Sequence, residues 1–266
     1  MVKYRILTLG HLSPRGLERL PAQHYEIGEE IAQPDAILVR SQDMHSMRIP
    51  ASLKAVARAG AGTNNIPIAR LSARGVAVFN APGANANAVK ELVIASMLIA
   101  ARNLISAHEL VQNLENDAAT MEQKVEAAKK QFSGFELPDS TLGIIGLGAT
   151  GRLVADAALK LGMKVLGYDP LITVEAAWVL SSQVKKADSI EDLLRHSDFV
   201  TLHLPLREDT RELIDAGRIG AMKRGAILLN FARAGLVNEW AVVEGIAAKK
   251  LKAYVCDFPS PTLRNA

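Results

Sequence analysis

The chain has 266 residues, enough for one large domain or two ordinary ones at roughly 100–200 residues per domain. Its composition, 49% hydrophobic and 22% charged, excludes collagen-like and disordered classes and points to a globular protein with a sizeable core. Thirty-one basic against 28 acidic residues leave +3, and the basic residues are scattered in groups no longer than a pair such as Lys249-Lys250. A nucleic-acid groove needs a basic stripe on one face, so no nucleic-acid partner is expected. There is no apolar run of about 18 residues, and the N-terminal MVKYRILTLGHLSPRG has no signal-peptide core, so no membrane association is expected. The one cysteine, Cys256, has no partner for an internal disulfide and fits a reducing, cytoplasmic setting. No metal site is expected.

In chain order, Tyr4–Leu9 predicts a first strand ended by Gly10 and Pro14, and Ala36–Val39 a second ending at Arg40-Ser41. Helical spacing surrounds Leu53–Val56, the turn-rich AGAGTNNIP follows at 59–67, and Gly75–Phe79 predicts a third strand. This alternation predicts a parallel sheet covered on both faces. From Ala86 to about Lys130 the pattern is helical. Residues 89–104 are rich in Ala, Leu and Ile and are expected to be buried, whereas 107–130 read as a polar surface helix or an arm against a partner. Strands are then expected at 141–146, 163–168, 198–204, 226–230 and 253–256. Helices are expected at 151–161, near 191–195, around 210–222 and at 238–248. Alternating apolar strands and helices predict a doubly wound parallel sheet.

The sharpest motif is GLGATG, which sets Gly146, Gly148 and Gly151 in G-x-G-x-x-G spacing between an apolar strand and a helix. The first glycine permits a tight turn, the second lets the backbone approach a pyrophosphate, and the third lets helix and strand pack closely. The helix N-terminus adds free N–H groups and a positive dipole end. Asp169 follows 18 residues after Gly151, at the end of the next strand. A carboxylate there accepts the ribose hydroxyls and repels a 2′-phosphate, favouring NAD over NADP. His203 ends a later strand, where packing or hydrogen bonding is the expected role rather than catalysis. Arg233 follows another apolar strand within a small-residue turn, at the sheet edge where doubly wound folds bind ligands. A guanidinium there can grip a carboxylate bidentately and polarise an adjacent carbonyl.

The chain resembles the D-2-hydroxyacid dehydrogenase family, most closely its phosphoglycerate branch. The motifs that carry this are VRS at 39–41, ARAGAGTNNI at 57–66, NAPGANANAVKE at 80–91, LGIIGLGATG at 142–151 and YDP at 168–170. They continue with TLHLPL at 201–206, NFARAGLVNE at 230–239 and CDF at 256–258. The resemblance implies an α/β protein: a Rossmann NAD domain with a doubly wound parallel sheet, plus a flavodoxin-like α/β substrate domain. It divides the chain into a substrate domain at 1–98 and an NAD domain at 99–266. NAD contacts are then expected from Ala149 and Thr150 at the pyrophosphate, Asp169 at the ribose, and Leu204 and Pro205 near the adenosine half. Phe231, Ala232 and Arg233 should line the nicotinamide side, and Asp257 should hold the carboxamide. Ala61, between Gly60 and Gly62, faces cofactor and substrate, while Arg40 with Asn85 would receive a substrate phosphate. The implied reaction is hydride transfer between NAD and a D-2-hydroxy acid, with 3-phosphoglycerate as the first candidate and another D-2-hydroxy acid as the alternative, and with Arg233 as the catalytic residue. The implied assembly is a homodimer through 89–130.

Three departures stand out. None of the six histidines (11, 24, 45, 108, 196 and 203) lies where the family carries its acid–base histidine. Ser260 stands near the position of its glutamate, and Pro67 replaces a frequent acid. The chain ends before the histidine position, so the expectation is a nearly complete NAD site with weak or no turnover. Two other readings share parts of these observations. One is an NAD(H)-binding regulatory protein on the same fold, as in transcriptional corepressors. The other is an enzyme using a different adenosine cofactor, such as a methyltransferase, against which Asp169 and the Arg233 turn argue.

Overall fold

The computed structural model describes residues 3–114 and 118–265. They form two compact units, Met1–Asn85 and Ala86–Ala266, each built on a parallel sheet.

The first unit runs β1 (Tyr4–Leu9), the single helical turn α1 (Pro14–Leu17), β2 (Tyr25–Gly28), β3 (Ala36–Val39), β4 (Ala55–Arg58), α2 (Ile68–Ser72) and β5 (Ala77–Phe79). Its strand order is β2-β1-β3-β4-β5, and every pair is parallel. Leu7 lies beside Ile37, Ile37 beside Val56, and Val56 beside Val78. Side chains alternate along a strand, so this row falls on one face, where Met44, Leu53, Ile66, Leu71 and Val76 close over it.

Three expectations change here. The stretch around Leu53–Val56 is not helical: Ala55–Arg58 is an interior strand, and pairing on both sides overrides the low strand preference of its alanines. The strand expected from Gly75 begins at Ala77, because Gly75 takes φ +69° in the preceding turn. Helical cover is also thinner than the alternation suggests. On the face opposite the core row, Tyr4 and Phe79 are 58% and 60% exposed.

The second unit opens with α3 (Ala86–Ala101), α4 (Leu104–Gln112) and α5 (Ala118–Ala128). Asn103 breaks the helical run by taking φ 54°, and its amide donates to the carbonyls of Phe132 and Ser133, tying down the returning chain. The single long helix expected over 107–130 is therefore at least two helices, and residues 115–117 lie outside the described ones. The boundary between units falls at Asn85/Ala86 rather than at 98/99. Helix α3 is continuous, and its Val93, Met97 and Ala101 are buried in the second unit's core.

The sheet follows with β6 (Thr141–Ile145), α6 (Ala149–Lys160), β7 (Lys164–Tyr168), α7 (Val174–Trp178), β8 (Lys185–Lys186), α8 (Ile190–His196) and β9 (Phe199–Leu202). Helix α9 (Ala216–Ala221), β10 (Ala226–Asn230), α10 (Glu239–Ala247) and β11 (Leu251–Cys256) complete it. The strand order β11-β10-β9-β6-β7-β8 is parallel throughout. The chain moves outward from β6 to β8, then returns past β6 and moves outward again through β9, β10 and β11. This is the doubly wound dinucleotide-binding order, with its switch point between β6 and β9. Apolar clusters on the two faces account for the continuous hydrophobic strands, one containing Val200, Leu202 and Leu228 and the other Ile144, Phe199 and Leu229. Among the described residues, no helix is long and apolar enough to cross a membrane.

Candidate functional site

In the second unit the predicted residues converge on the carboxyl edge of the sheet, at the switch point. Gly146 turns the chain out of β6 at φ +96°, and a Cβ there would lie 2.5 Å from the His203 carbonyl oxygen. Gly151 lies against the same turn, since a Cβ on it would sit 2.0 Å from the Gly146 carbonyl oxygen. Gly148 is different, because a Cβ there meets no protein atom within 4 Å. It caps α6 without any side-chain hydrogen bond, whereas Thr173, Ser189, Asp215 and Asn238 each cap the later helices α7 to α10. The α6 N-terminus therefore keeps unsatisfied N–H groups and a positive dipole end facing open space, beside Ala149 and Thr150.

Asp169 follows β7 and reaches back to this loop. Its Oδ2 accepts the Leu147 N–H at 2.8 Å and its Oδ1 the Leu171 N–H at 3.0 Å. A carboxylate has about four acceptor positions, so each oxygen can still receive a hydroxyl. An open helix N-terminus, a glycine at the gap and an aligned carboxylate fit a dinucleotide, with pyrophosphate on α6 and ribose on Asp169.

Beyond β9, Leu204 is half-buried and packed on the core, while Pro205 is exposed and its carbonyl accepts the Thr210 hydroxyl at 2.9 Å. The His203 ring bonds Thr201 Oγ1 through Nε2 at 3.1 Å, and burial pushes its pKa down to about 4. A neutral, hydrogen-bonded imidazole is a packing group. The unfolded ring titrates near 6.5, so between pH 6.5 and 4 the unfolded chain binds the extra proton. Stability is thus expected to fall as pH falls through that window, by up to about 3 kcal/mol. The slope should flatten in His203→Gln; urea melts at pH 7 and 5 measure both, and an unchanged slope in the variant would assign the effect elsewhere.

Strand β10 ends in Asn230, which is fully buried. Its Oδ1 accepts the N–H groups of Ala232 (3.1 Å) and Arg233 (3.3 Å), and its Nδ2 donates to the Arg233 carbonyl (2.8 Å) and the Tyr254 hydroxyl (3.3 Å). This one amide fixes the turn that carries Arg233. The Phe231 side chain turns into the core, whereas Arg233 is exposed and donates to its neighbour's carbonyl, Ala232, at 2.6 Å. Among the described residues its guanidinium meets no carboxylate. Burial raises the Tyr254 phenol well above its ordinary pKa, so it stays a neutral partner to Asn230.

Cys256 pairs with Asn230 in the β10/β11 register, which sets the exposed Asp257 beside Phe231 at the same edge. Ser260 donates to Glu239 Oε2 at 2.6 Å, so the loop position where a glutamate was expected meets a carboxylate supplied by α10.

The first unit gathers a second group at its own carboxyl edge. Arg40 is exposed after β3, and its carbonyl accepts Arg58 Nε at 2.9 Å and Asn65 Nδ2 at 3.3 Å. Arg58 also donates to the Gly62 carbonyl. Ala61 is exposed between the half-buried Gly60 and Gly62, and its carbonyl accepts Asn80 Nδ2 at 2.6 Å. Asn85 is exposed at the end of the unit. Sequence reasoning passed over Arg58, Asn230, Tyr254 and Glu239. Reading 55–58 as a strand would have placed Arg58 at its carboxyl end, and a polar residue closing the apolar run AILLN marks Asn230.

Residues 94–263 match the family model described as D-isomer specific 2-hydroxyacid dehydrogenase, NAD binding domain. The chain belongs to that family. The second unit contains this domain, and its cofactor is NAD. Among curated relatives, a D-3-phosphoglycerate dehydrogenase of Archaeoglobus fulgidus is 39% identical over 96% of this chain and 48% of its own length. A hydroxypyruvate reductase of Thermotoga maritima is 37% identical over 86% of this chain and 70% of its own. The chain thus spans about half the length of the phosphoglycerate dehydrogenases it matches. Among solved structures, the holo form of Rhodotorula graminis D-mandelate dehydrogenase superposes with a TM-score of 0.80 at 26% identity, covering 100% of this chain and 86% of that one.

Proposed function

We propose that the protein is an NAD-dependent oxidoreductase that interconverts a D-2-hydroxy acid and its 2-oxo acid, with 3-phosphoglycerate and 3-phosphohydroxypyruvate as the pair, as in L-serine synthesis in the cytoplasm. The observation that carries this reading is Arg233. A guanidinium without a carboxylate partner among the described residues stands on a turn locked by a buried amide, at the edge of the sheet that binds NAD. Relatives named for 3-phosphoglycerate and for hydroxypyruvate both support a small 2-hydroxy or 2-oxo acid.

Bound NAD supplies hydride acceptance at C2 of the alcohol and hydride donation in reverse. The chain's own groups bind and orient the reactants; the 2-hydroxyl proton must leave as the hydride transfers, and none of the six histidines stands at the family's acid–base position to take it. Arg233 grips the substrate carboxylate with two parallel N–H donors and polarises the 2-oxygen. The α6 N-terminus with Ala149 and Thr150 holds the pyrophosphate, Asp169 the ribose, and Leu204 and Pro205 border the adenosine half. Asp257 accepts from the carboxamide, while Ala232 and the backbone of Phe231 line its side. Arg40 with Asn85 receives the substrate phosphate, and Ala61 in the Gly60–Gly62 loop faces cofactor and substrate.

Calorimetric titration with NADH, and titration of the NAD+-loaded protein with 3-phosphoglycerate, D-glycerate and D-lactate, test this reading. NADH should bind, and 3-phosphoglycerate should bind tightest of the three acids. NADH binding with no acid bound would sink the oxidoreductase reading and leave an NAD(H)-binding regulatory protein in its place.

A homodimer through 89–130 is part of the same proposal. Leu98, Leu104, Ile105 and Val111 are exposed there, apolar surface that a second copy would cover. Sedimentation should give twice the 28.6 kDa chain mass, and Ile105→Asp should shift it to the monomer. A wild-type monomer at micromolar concentration would refute the assembly.

A further inference from the structure

We infer that Glu239 and Ser260 form a positioning pair that sets the nicotinamide-side loop, so that affinity for the nicotinamide half of the dinucleotide depends on their hydrogen bond. The inference rests on the NAD site described above, and on Asp257 facing the carboxamide.

The geometry starts from β10 and β11. Inside the sheet they are joined by their parallel register and, at the carboxyl edge, by the Asn230–Tyr254 hydrogen bond. Beyond the edge the two strands feed separate loops, one bearing Arg233 and the other Asp257. The first loop is fixed along its length. Asn230 holds the backbone of residues 232 and 233, Leu236 and Val237 are buried, and Ile214 pairs with both sides of Val237. Asn238 then caps α10 by accepting the Ala241 N–H at 3.0 Å. Glu239 is the first residue of that helix, so its carboxylate stands at a defined point relative to Arg233, stabilised by the positive helix end.

The second loop is held through Ser260. Asp257 and Pro259 are exposed, and Phe258 is engaged through its carbonyl by the weak donor Cys256 Sγ at 3.7 Å. Ser260 is the node that ties this loop down. Its hydroxyl proton goes to Glu239 Oε2 at 2.6 Å, its oxygen accepts the Leu263 N–H at 3.2 Å, and its carbonyl accepts the Arg264 N–H at 3.1 Å. Leu263 in turn packs on the core. The short, charge-assisted Ser260–Glu239 bond therefore transmits the position of the rigid Arg233 turn to the loop carrying Asp257. Strand spacing of ~4.8 Å places Asp257, at the end of β11, about 19 Å from Asp169 at the end of β7. The pair thus acts on one half of the ligand and leaves the other alone.

The test compares NADH with ADP-ribose, which lacks the nicotinamide, by calorimetric titration of the full chain. Ser260→Ala and Glu239→Ala should each weaken NADH about tenfold and leave ADP-ribose within about twofold. Ser260→Thr keeps the hydroxyl and Glu239→Gln keeps an acceptor, and both should bind NADH within about threefold of wild type. The double alanine variant should be no worse than either single one, because both remove the same bond. Parallel losses for NADH and ADP-ribose, or no loss for either, would overturn the pair's role while the cofactor site stands. A wild-type chain that binds neither probe would overturn the cofactor reading and the inference with it.

Discussion

Replacing Arg233 with alanine is expected to weaken binding of the hydroxy acid by orders of magnitude while NADH affinity stays within about threefold of wild type. The guanidinium is exposed, meets no carboxylate among the described residues, and carries no part of the core. Its removal should leave the melting temperature unchanged, because Asn230 holds the turn through backbone groups that alanine retains. A charge-assisted hydrogen bond contributes about 1.5–3 kcal/mol, so loss of a bidentate pair should cost on the order of 10²–10⁴-fold in 3-phosphoglycerate affinity. Arg233→Lys keeps the charge but not the planar fork and should recover only part of the loss. Titration of 3-phosphoglycerate into NAD+-saturated protein reads this directly. Equal 3-phosphoglycerate affinity in wild type and Arg233→Ala would remove Arg233 from the substrate site.

Two substitutions in the glycine loop should separate its structural task from its ligand task. In Gly151→Ala the new Cβ lies 2.0 Å from the Gly146 carbonyl oxygen, a clash between two backbone-anchored atoms. Helix α6 must move off the strand, and NADH affinity should fall about 100-fold, or ~2.8 kcal/mol, together with a clear loss of thermal stability from overpacking. In Gly148→Ala the Cβ meets no protein atom within 4 Å and the backbone sits at φ −67°, which any residue adopts. Stability should be unchanged, yet NADH should weaken at least tenfold, because the methyl group fills the space for the pyrophosphate. Calorimetric NADH titrations with thermal melts measure both. Wild-type NADH affinity in Gly148→Ala would mean that the phosphates do not approach this glycine.

The sequence by itself determined the class of the second unit and most of its site. The run TLGIIGLGATG followed by Asp169 is a local signal: the turn, the close helix approach and the carboxylate all depend on residues within one βαβ unit, and the structure places them as their types require. Strands such as β3 and β10 were legible because continuous apolar runs have few other folded uses. Tertiary structure decided what rests on partners distant in sequence. Ala55–Arg58 is a strand only because β3 and β5 lie on either side, and α3 joins the second unit because its Val93, Met97 and Ala101 find the core beneath α6. The Asn230–Tyr254 and Glu239–Ser260 bonds span 24 and 21 residues, so no window of sequence contains either pair as a pattern. A side chain's type states what it can bond, and only the packed fold states which group stands within hydrogen-bond reach.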